Sequence, residues 1–343
     1  MTDHIDHART VDDEALDGLI AAVDLDGLVR LVDARCGQGD WAGLLRVRDR
    51  CTAAVSETGR QLWPAATLAE YRLALLAPAE WAALVLDGDA GRLTIGPLSE
   101  VAAVHHTWAE LAPHLDPVPV ALFVAHERAI RGERIDPGTV VHLPPVIDIP
   151  LEPRDWEPDY PVSTYSDDGG EHPEPTLGSD GAARSAAEPR AGAVVVDDDI
   201  TELAVRQLVE TWTASSTGRA ELVCVEGDHL DAIGALGATS VRIAPIDARD
   251  AIARLAWAGA SGGAHGRRRG MALGRFSAWW VLAAFGDLHD SWPPSDDEVR
   301  ELLADLRWFA WDAHEPEGGW RLQLAVHDTA DGIAWAINAS DAA

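Results

Sequence analysis

From residue 11 to about residue 135, apolar residues recur three and four positions apart, the spacing of one face of a helix. ALDGLIAAV, LDGLVRLVDA, WAGLLRVRDRCTAAV, TLAEYRLALLAPAEWAALVL, LSEVAAVHHTWAEL and PVALFVAHERAI each predict a helix. Asp26, Gly39 with Asp40, Pro64, Pro78, Gly96 with Pro97, and Pro113 to Pro119 mark the breaks between them. At Pro144 the pattern stops. LPPVIDIPLEPRDWEPDYPVSTY suits an extended strap, with Trp156, Tyr160 and Tyr165 as its anchors to a core. Residues 166–192 have almost no apolar content and predict a flexible acidic linker.

Beyond the linker, AGAVVV, AELVCVEG and TSVRIAPI predict three strands, with helices at DDDITELAVRQLVETW and DHLDAIGALG between them. A β-α-β-α-β order predicts parallel pairing by right-handed crossovers. DARDAIARLAWAGA, the glycine-rich stretch through AWWVLAAF, and SDDEVRELLADLRWFAWD follow as helices, which places Trp308 and Trp311 three apart on one helix. GGWRLQLAVHD and DGIAWAINASD predict an added antiparallel hairpin. The expected fold is therefore multi-domain α and α/β: a helical domain (1–143), a strap and linker (144–191), and an α/β domain (192–343) with a short parallel sheet and a terminal β-hairpin.

Charge changes this picture more than length does. The formal net charge is −30, and every one of the 27 basic residues is Arg. The absence of Lys excludes a Walker A loop, a pyridoxal Schiff base and a protein-kinase phosphate clamp, all of which need that side chain. A surface this acidic repels phosphate backbones, so nucleic acid is not an expected partner; a basic protein segment is. Three cysteines without a CxxC pair predict neither a zinc ribbon nor a disulfide framework. No apolar run reaches the roughly 20 residues of a membrane span, and the opening MTDHIDHARTVDDEALDGL reads as neither signal nor transit peptide, so a cytoplasmic location is expected.

Against that acidity, SGGAHGRRRGMALGRFSAWW stands out. Gly266, Gly270, Gly274 and Ala278 lie four apart, as do Gly259 and Gly263, and on a helix each set is a smooth stripe that lets another backbone approach. Alternatively Ser261 to Gly266 form a loop whose amides face an anion, with His265, Arg267, Arg268, Arg269 and Arg275 as the anion-binding residues. AVVVDDDIT resembles the DxDxT opening of haloacid-dehalogenase-type phosphatases at Asp197, Asp199 and Thr201, but that family needs a Lys. Asp197 and Asp199 are thus candidate metal carboxylates, set against a capping role for Asp198, Asp199 and Glu202 on the following helix. His106, Glu110 and His114 share i, i+4, i+8 spacing, and HERAIR adds His126, Glu127, Arg128 and Arg131, a combination that could ligate zinc if the helix continued.

GPLSEVAAVHHTWAEL, VAHERAIRGE, DWEPDYPVSTY and WAGASGGAHGRRRG are similar to stretches of an actinobacterial protein family of unassigned function. The resemblance implies a bacterial cytoplasmic protein and transfers no activity to it. Together these features predict a non-catalytic protein–protein adaptor or regulatory module whose partner offers a basic or amphipathic segment. The alternative is an enzyme or sensor that binds a small anionic phosphate or carboxylate metabolite at residues 261–275. No cofactor is expected.

Overall fold

The structure, a computed structural model, describes residues 13–86, 96–115, 119–176, 184–315 and 318–342. Two compact units divide the chain. The first comprises residues up to Val124 together with His142–Pro144 and Thr164–Glu171; the second comprises Ala125–Val141, Pro145–Ser163 and the chain from His172 on.

Helices build the first unit: α1 (13–22), α2 (Leu25–Gln38), α3 (Trp41–Thr58), α4 (Trp63–Leu76), α5 (Ala79–Leu86), α6 (Leu98–His105) and α7 (Trp108–Leu111). Their ends follow from local chemistry. Asp24 and Asp40 accept hydrogen bonds from the Gly27 and Gly43 amides at 2.9 Å, satisfying donors that have no partner inside the helix. Gly39 closes α2 in the left-handed region, with φ of 66°. A two-stranded hairpin, β1 (Thr164–Ser166) and β2 (Gly169–Glu171), belongs to this unit: Tyr71 donates to the Ser166 carbonyl at 2.6 Å, and Tyr165 to the buried Glu100 carboxylate at 2.6 Å.

Helix α8 (Pro119–Ile130) leads into the second unit, whose centre is one seven-stranded sheet. Its strands are β3 (Ser185–Ala187), β4 (Val194–Val196), β5 (Arg219–Glu226), β6 (Val241–Ile246), β7 (Leu306–Asp312), β8 (Trp320–Asp328) and β9 (Ile333–Asp341), in the order β3-β6-β7-β8-β9-β5-β4. Every neighbouring pair is antiparallel. This corrects the expected short parallel sheet. Strands β4, β5 and β6 do form where their apolar runs lie, but β5 and β6 are not neighbours, because β9, β8 and β7 stand between them. Strands β8 and β9, nine residues each and buried on both faces over most of their length, occupy the middle of the sheet rather than its margin. Runs such as RLQLAV and IAWAIN therefore lack the in–out alternation of a half-solvated antiparallel strand, and continuous apolar runs imitate a parallel sheet.

The helices of this unit are α9 (Asp199–Leu208), α10 (Glu210–Ala214), α11 (His229–Ala235), α12 (Ala248–Ala260), α13 (Met271–Phe285) and α14 (Asp296–Asp305). Helix α14 ends at Asp305 and β7 begins at the next residue, so LRWFAWD is strand and not helix. Trp308 and Trp311, an odd number apart on a strand, then serve different faces. Trp311 packs with Ile233 of α11, Val225 and Ile243, while Trp308 meets Phe285 of α13 at 5.8 Å between ring centroids. Strand β3 falls within the stretch that composition marks as linker, and its backbone pairs with Val241 to Ile243. Residues 177–183 of that stretch lie outside the described residues. Among the described residues, no helix is long and apolar enough to cross a membrane.

Helices α12 and α13 cross where glycine removes the side chain. A Cβ on Gly274 would stand 2.2 Å from the Ala256 carbonyl oxygen, and one on Gly259 would stand 3.3 Å from the Gly274 Cα. Gly274→Ala therefore forces two backbones apart and is expected to lower the urea midpoint by the equivalent of about 1–3 kcal/mol, although Ala is the better helix former. An unchanged midpoint would show that the crossing yields freely.

Candidate functional site

The glycine-and-arginine segment is not one helix. Ser261 to Gly270 form a loop, and α13 starts at Met271 with Gly270, at φ of 90°, as its cap residue. The loop folds on itself so tightly that a Cβ on Gly262 would lie 2.4 Å from the Gly266 carbonyl oxygen. Two amides in and after the loop hold carboxylates of the chain itself: Ala264 donates to Asp341 at 2.6 Å, and Ala272 donates to Glu127 at 2.7 Å.

The five predicted anion-binding residues separate. His265 and Arg267 are exposed and Arg268 is half-buried. Arg269 donates to the Gln207 carbonyl at 2.9 Å; burial pulls its guanidinium below the usual arginine range, and the Glu210 charge opposes that. Arg275 is fully buried. Its Nε and Nη2 grip Glu157 at 2.6 and 2.7 Å, and its Nη1 donates to the Pro150 carbonyl at 2.7 Å. Burial opposes the charge on Arg275, but the Glu157 carboxylate outweighs it and holds the guanidinium above its ordinary range. Tyr160 donates to the same carboxylate at 2.5 Å, and Trp156 lies against Trp279 with centroids 4.8 Å apart. Arg275 thus ties the strap to α13.

Neither other constellation gathers. Thr107 opens a new helix with a capping box, so Glu110 accepts from the Thr107 amide and hydroxyl at 2.8 and 2.9 Å. His106 ends α6 in extended conformation and His114 sits in a 3-10 turn, so the continuous helical face that would align the triad does not exist. Asp198 is the cap of α9: one oxygen accepts from the Thr201 amide at 3.0 Å and the other from Trp335 Nε1 at 2.7 Å. Asp197 and Asp199 flank it in solvent, Asp199 in the first turn of α9 with Glu202. No group of three or more His, Cys, Asp or Glu among the described residues is placed to hold a metal ion.

A different set of arginines converges. Where β6 begins, β7 ends and β8 begins, a cleft of about 290 Å³ is lined by Arg184, Arg242, Arg254 and Arg321, with Trp257, Trp311 and Gln323. Its acids are Glu174, Asp312 and Glu315. Asp312 on β7 is buried and holds two guanidiniums, accepting from Arg184 Nη1 and Arg242 Nε at 2.8 Å each. Burial resists its ionisation, but the Arg242 bond, the His314 amide and the charges of both arginines hold its carboxyl below the ordinary range. Glu315 in turn accepts from Arg321 and Gln323, both at 2.9 Å.

Arg254, on α12, is the exception. It makes no hydrogen bond or ion pair among the described residues, and its Nε is buried without an acceptor. Burial pulls its guanidinium below the usual range, Arg184 pushes the same way, and the charges of Asp250 and Glu174 oppose them. The buried Nε of Arg184 and indole N–H of Trp311 also lack acceptors. Among the described residues, four arginines face three carboxylates in this cleft, with donors in excess, in a chain of net charge −30. Sequence spacing hides it, because its members run from residue 184 to residue 321 and meet only through the strand order β6-β7-β8 and the packing of α12 on β7 and β8. The available signal was one Arg in each of the mainly apolar runs TSVRIAPI and GGWRLQLAV.

Fold and cleft together define a chain with a helical unit and an α/β unit whose antiparallel sheet carries an arginine-lined site. The chain belongs to a family of unknown function, DUF6183, whose model matches residues 26–343. Neither a curated protein nor a solved structure matches it.

Proposed function

We propose that the chain binds a small anion, a carboxylate or phosphate, in the Arg184–Arg242–Arg254–Arg321 cleft, as a sensor or as an enzyme acting on that anion. The observation that carries the reading is Arg254, a half-buried guanidinium to which no described carboxylate is hydrogen-bonded or ion-paired, Asp250 and Glu174 acting on it only from a distance. A buried, unpaired charge is costly, and a planar guanidinium pairs with carboxylate or phosphate oxygens through two parallel bonds. The ligand would replace the missing partner, while Asp312 and Glu315 hold the other three arginines in position.

A panel of inorganic phosphate, phosphate monoesters and dicarboxylates tests this by thermal shift. A ligand at 100 times its Kd adds about 2.7 kcal/mol to stability. The response is expected to vanish in Arg254→Met and to persist when Arg267, Arg268 and Arg269 are all changed to Ala. The reverse pattern would move the anion site to the 261–275 segment.

A non-catalytic adaptor role in the cytoplasm is a second reading. It is favoured by exposed apolar side chains clustered on β4 and α9: Val194, Val195 and Leu203 are more than half exposed, and Ile200 is 37% exposed. Contiguous exposed apolar surface is a mark of protein association.

A further inference from the structure

We propose that the outer edge of the sheet, β4 with the start of α9, receives an extended basic segment of a partner protein as an added strand; this rests on the adaptor reading. Strand β4 is the last in the sheet order and pairs only with Cys224 to Glu226 of β5. Its other side, and the outer side of β5 from Arg219 to Val223, have no neighbouring strand among the described residues. An edge of this kind presents unpaired N–H and C=O groups, which is the template used in strand addition.

The chemistry beside the edge selects the partner. Val196 borders a hollow of about 270 Å³ floored by Phe285, Ile333 and Trp335 and rimmed by Asp197, Asp287 and Asp331. Val195 borders a groove of about 110 Å³ with Leu222, whose rim is Asp199 and Glu202. Apolar floors with carboxylate rims in two adjoining hollows beside one strand complement Arg and Lys, whose stems are aliphatic and whose heads are cationic. Arg206 is paired with Glu202 at 2.5 Å and leaves the rim acidic. A second copy of the chain is disfavoured as the occupant, since two such edges would bring Asp197 to Asp199 of each copy together.

The test uses the whole chain and labelled synthetic peptides, read by fluorescence anisotropy at about 150 mM salt, where long-range attraction is screened. A short peptide alternating Arg with Val should bind, its acidic Glu–Val counterpart should not, and a version of the basic peptide interrupted by two prolines should bind at least about tenfold more weakly. Val195→Lys, at a site 60% exposed, should weaken the basic peptide by about tenfold or more. Leu84→Lys, an equal charge change at an exposed residue of the first unit, should leave it within about twofold. Equal binding of the proline-interrupted peptide would overturn strand addition, yet leave the adaptor surface standing if Val195→Lys still weakens it. Equal losses in Val195→Lys and Leu84→Lys, or no binding of the basic peptide, would remove both the strand and the surface. A concentration-dependent dimer abolished by Val195→Lys would give the edge to a second copy and overturn the basic partner.

Discussion

Arg275→Met is expected to destabilise the second unit by about 3–5 kcal/mol, the cost of leaving one partner of a buried ion pair behind. Arg275 and Glu157 have side chains with no exposed surface, and beyond Glu157 the guanidinium meets His126 and the backbone carbonyls of Pro150, Leu151 and Glu152. Without the cation, Glu157 must take up a proton or admit water, and the strap loses its tie to α13. Urea unfolding followed by tryptophan fluorescence reads the change, since Trp156 and Trp279 pack against each other beside the pair. The double change Arg275→Met with Glu157→Leu should cost less than Arg275→Met alone, because no charge is then stranded. A double variant as unstable as the sum of the two singles would refute the pair as a coupled unit.

The second large effect is acid lability through His126. This imidazole is 1% exposed, and its Nδ1 lies 3.3 Å from Arg275 Nη1, which can only donate, so the ring is neutral with its proton on Nε2. Burial first, and then the Arg275 charge, push its pKa down to about 3, against a weaker opposing bond to the Ile147 backbone. Below the ordinary histidine value of about 6.5 the unfolded chain takes up a proton that the folded chain refuses. Stability is therefore full above that value and falls as pH drops towards 3, by up to about 4–5 kcal/mol from this one group. Carboxylates titrate in the same window, so the readout is the difference in slope of unfolding free energy against pH between the wild type and His126→Asn. Identical slopes would mean that His126 is protonated in the folded state.

Much of the first unit was legible because its signals are local. Asp40, Gly39 and Pro64 act on their own helix ends, and the chain breaks where they stand. The missed break at Thr107 is equally local, a capping box with Glu110 inside what spacing presents as one helix. The sheet was legible strand by strand but not in its order. Strand β7 was hidden because Trp308 and Trp311 are buried on opposite faces, which erases alternation, and β8 and β9 look like an appendage because nothing local says that a hairpin sits at a sheet's centre. Candidate sites follow the same division. Capping of α9 by Asp198 was readable from DDDITEL, since a cap needs only its own helix. The cleft was not, because Arg242, Arg254 and Arg321 lie on β6, α12 and β8 and Arg184 just before β3, which only the strand order and the packing of α12 unite. The 261–275 segment drew notice for its arginine density, yet Arg275 is committed to Glu157 and Arg269 to backbone carbonyls.

The most direct test of the arginine cleft as an anion site is the arginine Nε–H region of a ¹⁵N–¹H correlation spectrum, assigned by single Arg substitutions and followed as phosphate or succinate is added. The Arg254 resonance should move and saturate, accompanied by those of Arg184 and Arg242, while Arg267 and Arg268 stay in place. An Arg254 resonance that stays fixed while those of Arg267 and Arg268 shift would contradict the assignment and return the anion to the glycine-rich loop.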